Sequence, residues 1–79
     1  MQIESLKVFC DLAETTSFTK TAEINGVTQS AVSQQISTLE ARLGATFVER
    51  SKKKFTLSKE GETLYKYSKQ IAQTYDELC

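Results

Sequence analysis

A mainly α fold is predicted for this chain: three helices, a short two-stranded hairpin and a long fourth helix. Three observations predict it. Apolar residues recur at helical spacing through most of the 79 residues. There is no proline, so the glycines at 26, 44 and 61 must do the punctuation. The period changes only after Gly44, where Phe47-Val48-Glu49-Arg50 and Phe55-Thr56-Leu57 read as two short strands.

The first helix is expected over residues 3–14, where Ile3, Leu6, Phe9, Cys10 and Ala13 form a stripe. Val8 and Leu12 widen it, which predicts two packing partners and leaves open that one lies in another subunit. Cys10 falls in this stripe and reads as a buried, inert thiol. Thr15, Thr16 and Ser17 break the pattern, and Ser17 is a good N-cap for a short helix from Phe18 to about Asn25. Asn25-Gly26 ends it, because both residues tolerate the left-handed conformation. Val27 is expected to dip into the core. Thr28 then caps a third helix from Gln29 to about Leu43, which Gly44 closes. Ser58 caps the last helix, running from Lys59 to the end.

Two helices joined by a short glycine-containing turn, the second one longer, have the outline of a helix-turn-helix. A generic helix pair shares that outline, so the third helix's faces carry more weight. At the helical turn angle, Val32, Ile36, Leu39 and Leu43 fall on one side. Ser30, Gln34 and Ser37 fall opposite, Ser33 lies on a flank and Gln29 is in the first turn. No charged residue occurs from Ile24 to Leu39. A solvated helix face normally carries Lys and Glu. An uncharged face of amides and hydroxyls suits base edges instead, since glutamine can pair bidentately with adenine and serine is small.

The chain's zero net charge conceals a basic centre. Residues 1–41 carry two lysines against five acids, and residues 60–79 carry two against four. Residues 42–59 carry six basic residues against one acid. Lys52, Lys53 and Lys54 stand at the hairpin tip, where a basic wing would meet phosphates or a minor groove. In the last helix Leu64, Ile71 and Leu78 repeat every seven residues, with Tyr67 and Tyr75 near the seam. A 20-residue helix is about 30 Å long and would project past a compact unit, so this seam is expected to meet a second copy.

Composition excludes several classes. There is no histidine, which removes every histidine-dependent nucleophile, base or metal site. Cys10 and Cys79 are too few for a four-ligand zinc site or a disulfide scaffold. Length excludes a barrel or a nucleotide-binding sheet. Glu60 and Glu62 at a helix start are ordinary dipole partners rather than a catalytic pair. No apolar run approaches the roughly 20 residues of a membrane span, and Met-Gln-Ile-Glu is no signal peptide. The expectation is a non-enzymatic, cofactor-free domain in the reducing cytoplasm, with no membrane partner.

One ordered set of residues runs along essentially the whole chain: Leu6 and Phe9, then Ser17-Phe18-Thr19 with Ala22-Glu23. It continues with Val27-Thr28-Gln29-Ser30-Ala31-Val32-Ser33-Gln34-Gln35-Ile36 and Leu39-Glu40, and closes with Leu43-Gly44, Phe47, Arg50, Leu57-Ser58 and Gly61. On this set the chain resembles the N-terminal DNA-binding domain of LysR-type transcriptional regulators. The resemblance implies a winged helix-turn-helix over residues 1–58 and a linker (dimerisation) helix over 59–79. It also implies an effector-binding domain absent from this chain, through which alone a small-molecule inducer would act.

By the same resemblance, Gln29, Ser30, Ser33 and Gln34 would face bases in the major groove. Ser17, Thr28, Ser37, Arg50, Lys52, Lys53 and Lys54 would meet the DNA backbone from helix starts and wing. Leu64, Tyr67, Ile71, Tyr75 and Leu78 would form the homodimer seam. The chain departs from the family pattern at Ser30, where proline is frequent, at Thr21, usually alanine, and at Phe47-Val48, where Leu-Phe is favoured. It departs again at Gln34, often arginine, which shifts base preference from guanine towards adenine. Lysine replaces a frequent wing arginine and is the poorer minor-groove reader. The expected function is sequence-specific operator binding by a bacterial-type regulator. The alternative is a winged-helix protein–protein interaction module, whose DNA retention would depend little on salt.

Overall fold

The computed structural model describes residues 2–49 and 55–78. Its elements are α1 (Ile3–Thr15), α2 (Phe18–Asn25), α3 (Gln29–Leu43), β1 (Val48–Glu49), β2 (Thr56–Leu57) and α4 (Lys59–Leu78). The strands pair antiparallel, Val48 with Leu57 and Glu49 with Thr56. The helix-turn-helix and its wing are therefore present, on a mainly helical frame.

Each helix boundary has a local cause. Ser17 Oγ accepts from Lys20 N and Thr28 Oγ1 from Ala31 N, each satisfying a donor left free in a first turn. Gly26 ends α2 at φ 63°, and Gly44 ends α3 at φ 68°. Thr16 ends α1 at φ 56°, a left-handed conformation that a β-branched residue adopts at a cost. At α4, Ser58 Oγ accepts from Gly61 N at 3.0 Å and donates to the Thr46 carbonyl.

Packing follows from these boundaries. Leu6, Phe9 and Leu12 of α1, Ala22 of α2 and Val32, Ile36 and Leu39 of α3 bury together with Phe47 and Val48. Phe9 meets Phe47 edge to face at 5.9 Å. The wide stripe of α1 has three packing partners inside this chain, because α2, α3 and α4 all pack against it. Thr21, the unusual hydroxyl, is fully buried. Its Oγ1 donates to the Ser17 carbonyl and pairs with Thr15 Oγ1, each at 2.8 Å, so the polar group is satisfied.

Three expectations change. Val27 does not enter the core; it is 39% exposed. Its N–H bonds the Ala22 carbonyl while Gly26 N bonds that of Glu23, and this helix-ending motif leaves the Val27 side chain outside. Leu43 is also exposed, because the contacts of α3 with the core end at Leu39. The strands are shorter than expected, and Arg50 and residues 51–54 lie outside the described residues.

The fourth helix lies along α1 in the opposite direction. Lys7 meets Asp76 at 2.7 Å, and Glu14 accepts from Tyr65 Oη at 2.8 Å. At its start, α4 passes the backbone just before β1 so closely that a Cβ on Gly61 would stand 2.2 Å from the Phe47 carbonyl oxygen. Only glycine fits there without movement of the backbone.

Candidate nucleic-acid interface

Burial of Val32, Ile36 and Leu39 sets the roll of α3 about its axis. With those three residues essentially inaccessible, the opposite face must point outward. Gln29, Ser30, Gln34 and Ser37 are all exposed on it, and Ser33 is half-buried on the flank. The residues expected to read bases are therefore brought to one surface. Ser30, Gln34 and Ser37 run along it, and Gln29 stands at its leading end. Phe18, Gln29, Ser30 and Ser33 line a hollow of about 360 Å³ at that end.

The residues expected at the DNA backbone divide into two groups. Ser17 and Thr28 sit at the starts of α2 and α3, and each hydroxyl oxygen accepts a helix N–H. Each hydroxyl proton is then left to give to an outside acceptor such as a phosphate oxygen. Ser37 is exposed on α3. Arg50, Lys52, Lys53 and Lys54 lie outside the described residues.

The root of the hairpin is described, and it is tied to the helix-turn-helix from two directions. The Glu40 carboxylate, on α3, accepts from Phe47 N at 2.8 Å and from Val48 N at 3.2 Å, both through Oε2. Charge-assisted bonds of this kind are about twice as strong as neutral ones. Phe55, just before β2, meets Phe18 of α2 edge to face at 6.1 Å. The described root of the hairpin is thus tied to both α2 and α3.

The expected seam residues separate by position on α4. Leu64 is half-buried against the core of its own domain. Tyr67, Ile71, Tyr75 and Leu78 are exposed, Leu78 at 81%, and Lys7 of α1 lies over the Tyr75 ring at 5.1 Å. Leu43, Ala45, Phe47, Leu64 and Tyr67 also border a largely apolar groove of about 560 Å³ at the start of α4.

Two residues with a part in this surface escape sequence reasoning. Thr19 accepts a hydrogen bond from Gln29 Nε2 at 2.9 Å across the α2–α3 turn. Glu40 anchors the hairpin. The signal for Glu40 is its place as the first charged residue after the neutral stretch from Ile24 to Leu39. Thr19 carries no signal, because its contact depends on the angle between two helices.

Comparison with known proteins matches residues 3–62 to the family model described as bacterial regulatory helix-turn-helix protein, lysR family. A probable RuBisCO transcriptional regulator of Thalassiosira pseudonana is 38% identical over 77 residues, which are 98% of this chain and 25% of that protein. The probable HTH-type transcriptional regulator LtrA of Klebsiella pneumoniae is 35% identical over 71 residues, 90% of this chain and 23% of that one. The chain thus spans about a quarter of the length of these curated relatives. Among solved structures, the BenM DBD in complex with catB site 1 DNA superimposes with a TM-score of 0.94 at 31% identity, covering 99% of this chain and 88% of that one. The CbnR DBD–DNA complex gives 0.90 at 27% identity, covering 98% and 88%. With the helix-turn-helix, the hairpin and the long fourth helix all in register with these proteins, the chain belongs to the lysR family of bacterial regulatory helix-turn-helix proteins.

Proposed function

We propose that this chain binds double-stranded operator DNA sequence-specifically, as a homodimer, and serves as the DNA-binding part of a transcriptional regulator. One observation carries the reading: α3 exposes amides and hydroxyls without a single charge from Gln29 to Leu39. Such a face enters a major groove without phosphate repulsion and can donate and accept at base edges. Gln29, Ser30, Ser33 and Gln34 read bases. The backbone is held by Ser17, Thr28 and Ser37, and by Arg50 and the lysines at 52–54. The likeness to the DNA-bound BenM and CbnR domains supports this assignment.

Dimerisation rests on the exposed apolar side chains of α4 and on Leu64 at its half-buried start. Tyr67 and Tyr75 stand four residues either side of Ile71, and Leu64 and Leu78 seven either side. Two antiparallel copies of α4, with the two-fold axis at Ile71, would set each of these residues opposite its mate. Residues 1–58 then act as the DNA-reading unit and 59–79 as the dimerising helix.

Selection of duplexes from a random DNA pool tests the function. The expected product is an inverted repeat whose half-sites lie about one helical turn, or a multiple, apart. Within that operator, Gln34→Ala should relax discrimination at one position. Lys53→Ala should weaken all sequences alike and flatten the salt dependence. Retention that is insensitive to salt, with no enriched sequence, would overturn the reading.

A further inference from the structure

The leading end of α3 holds one contact that the DNA-reading proposal does not require. Gln29 Nε2 donates to Thr19 Oγ1 at 2.9 Å, joining two exposed side chains across the turn. A primary amide carries two N–H donors and one carbonyl acceptor. Thr19 takes one donor. The carbonyl oxygen and the second N–H remain, and they lie side by side on one edge when Thr19 takes the N–H remote from the carbonyl.

That edge has a specific complement. Adenine presents an acceptor at N7 and a donor at N6 in the major groove, which match it atom for atom. Guanine presents two acceptors, N7 and O6, and would set an acceptor against the Gln29 carbonyl. An unbraced glutamine could swap its ends by rotating its terminal amide, and would lose rotamer freedom only on binding. Because a threonine hydroxyl can donate as well as accept, the contact fixes the amide once the Thr19 proton is given to a phosphate: the oxygen then accepts alone, the Gln29 N–H must face it, and the carbonyl faces out.

We propose that Thr19 is a positioning residue for base selection: it holds the Gln29 amide in the orientation that reads an A·T pair and rejects a G·C pair. The proposal rests on the DNA-reading role of α3 and goes beyond it, because it names the base and a residue outside α3 that selects it. Two neighbouring features fit the assignment. The hollow bordered by Gln29 and Ser30 gives a base edge room, and Phe18 on its wall offers apolar surface to the methyl group of the paired thymine. The Thr19 hydroxyl, accepting from Gln29, still has its own proton to give to a phosphate. One short chain of bonds then links backbone contact to base contact.

The test is fluorescence anisotropy of the 79-residue chain on its enriched duplex and on duplexes with each half-site base pair replaced in turn. Wild type should favour adenine over guanine about tenfold at one position, and Gln29→Ala should abolish that preference. Thr19→Val keeps the side-chain shape and removes the acceptor. It should shrink the preference at that position to within about twofold while leaving discrimination elsewhere intact. Thr19→Ser, which restores an oxygen, should recover it, and circular dichroism checks that each variant is folded. Thr19→Val weakening every duplex by one common factor would overturn the proposal, and so would guanine as the preferred base. If the chain binds its enriched duplex but Gln29→Ala alters no position, Gln29 is no reader and this proposal alone falls. If no duplex is enriched at all, the DNA-reading assignment falls first.

Discussion

Thr16 shows how single residues set local cost in this domain. It ends α1 in the left-handed region at φ 56°, where a β-branched side chain crowds its own backbone. Left-handed backbone costs a non-glycine residue roughly 1–2 kcal/mol, part of which glycine returns as extra freedom in the unfolded chain. Thr16→Gly should therefore stabilise the fold by about 0.5–1 kcal/mol, read as a higher urea midpoint at unchanged slope. Cys10 offers a second residue-scale test. Burial, then the charges of Glu14 and Asp11, push its thiol from the ordinary 9.0 up to about 11. The unfolded chain releases this proton from about pH 9 while the folded one holds it, so the unfolded state binds fewer protons in that window. The Cys10 contribution should be constant below pH 9 and decline between 9.0 and about 11. Urea midpoints measured across that range should fall less steeply in Cys10→Ala than in wild type.

At the scale of elements, what could be foreseen separates from what could not by the range of the interaction. Ser17, Thr28, Gly26 and Gly44 mark helix ends through contacts within a few residues, so the starts and approximate ends of α2 and α3 are legible in the sequence. The exposed face of α3 is legible too, because burial of Val32, Ile36 and Leu39 dictates what lies opposite. Val27 is not, since an apolar residue after a left-handed glycine can turn either way, and here its N–H is claimed by α2. Thr19 and Glu40 escape for the same reason, as each acts across a gap that only the assembled helices define. The Glu40 contact gives the element-scale prediction. Both hairpin N–H groups converge on one carboxylate oxygen, which an amide oxygen can replace. Glu40→Gln should cost less than about 1 kcal/mol, whereas Glu40→Ala strands two part-buried donors and should cost about 2–3 kcal/mol. Denaturation midpoints of the pair would show the order, and equal losses would mean that charge, not hydrogen bonding, fixes the hairpin root.

For the whole molecule, the decisive asymmetry is that α4 packs one face on α1 and leaves large apolar side chains exposed beside it. Exposed Tyr67, Ile71, Tyr75 and Leu78 form the apolar seam on which dimerisation was proposed. Ile71→Asp should convert the dimer to monomer in sedimentation velocity, and leave single half-site retention in place while affinity for the full repeat collapses. A dimer that survives this change would relocate the interface. Phe47 has a further consequence at this scale. Its ring lies on Phe9, its N–H on Glu40, and its carbonyl accepts from Ser58 N and abuts Gly61. Helices α3 and α4 are therefore both tied to Phe47, the residue just before β1. On the proposed reading, the dimer works as a caliper with a locked jaw. One base pair inserted between the half-sites turns one of them by roughly 35° about the duplex axis. A locked caliper does not follow that rotation, so the twist must be absorbed by the DNA, and a spacer of the wrong length is rejected through the stiffness of the duplex.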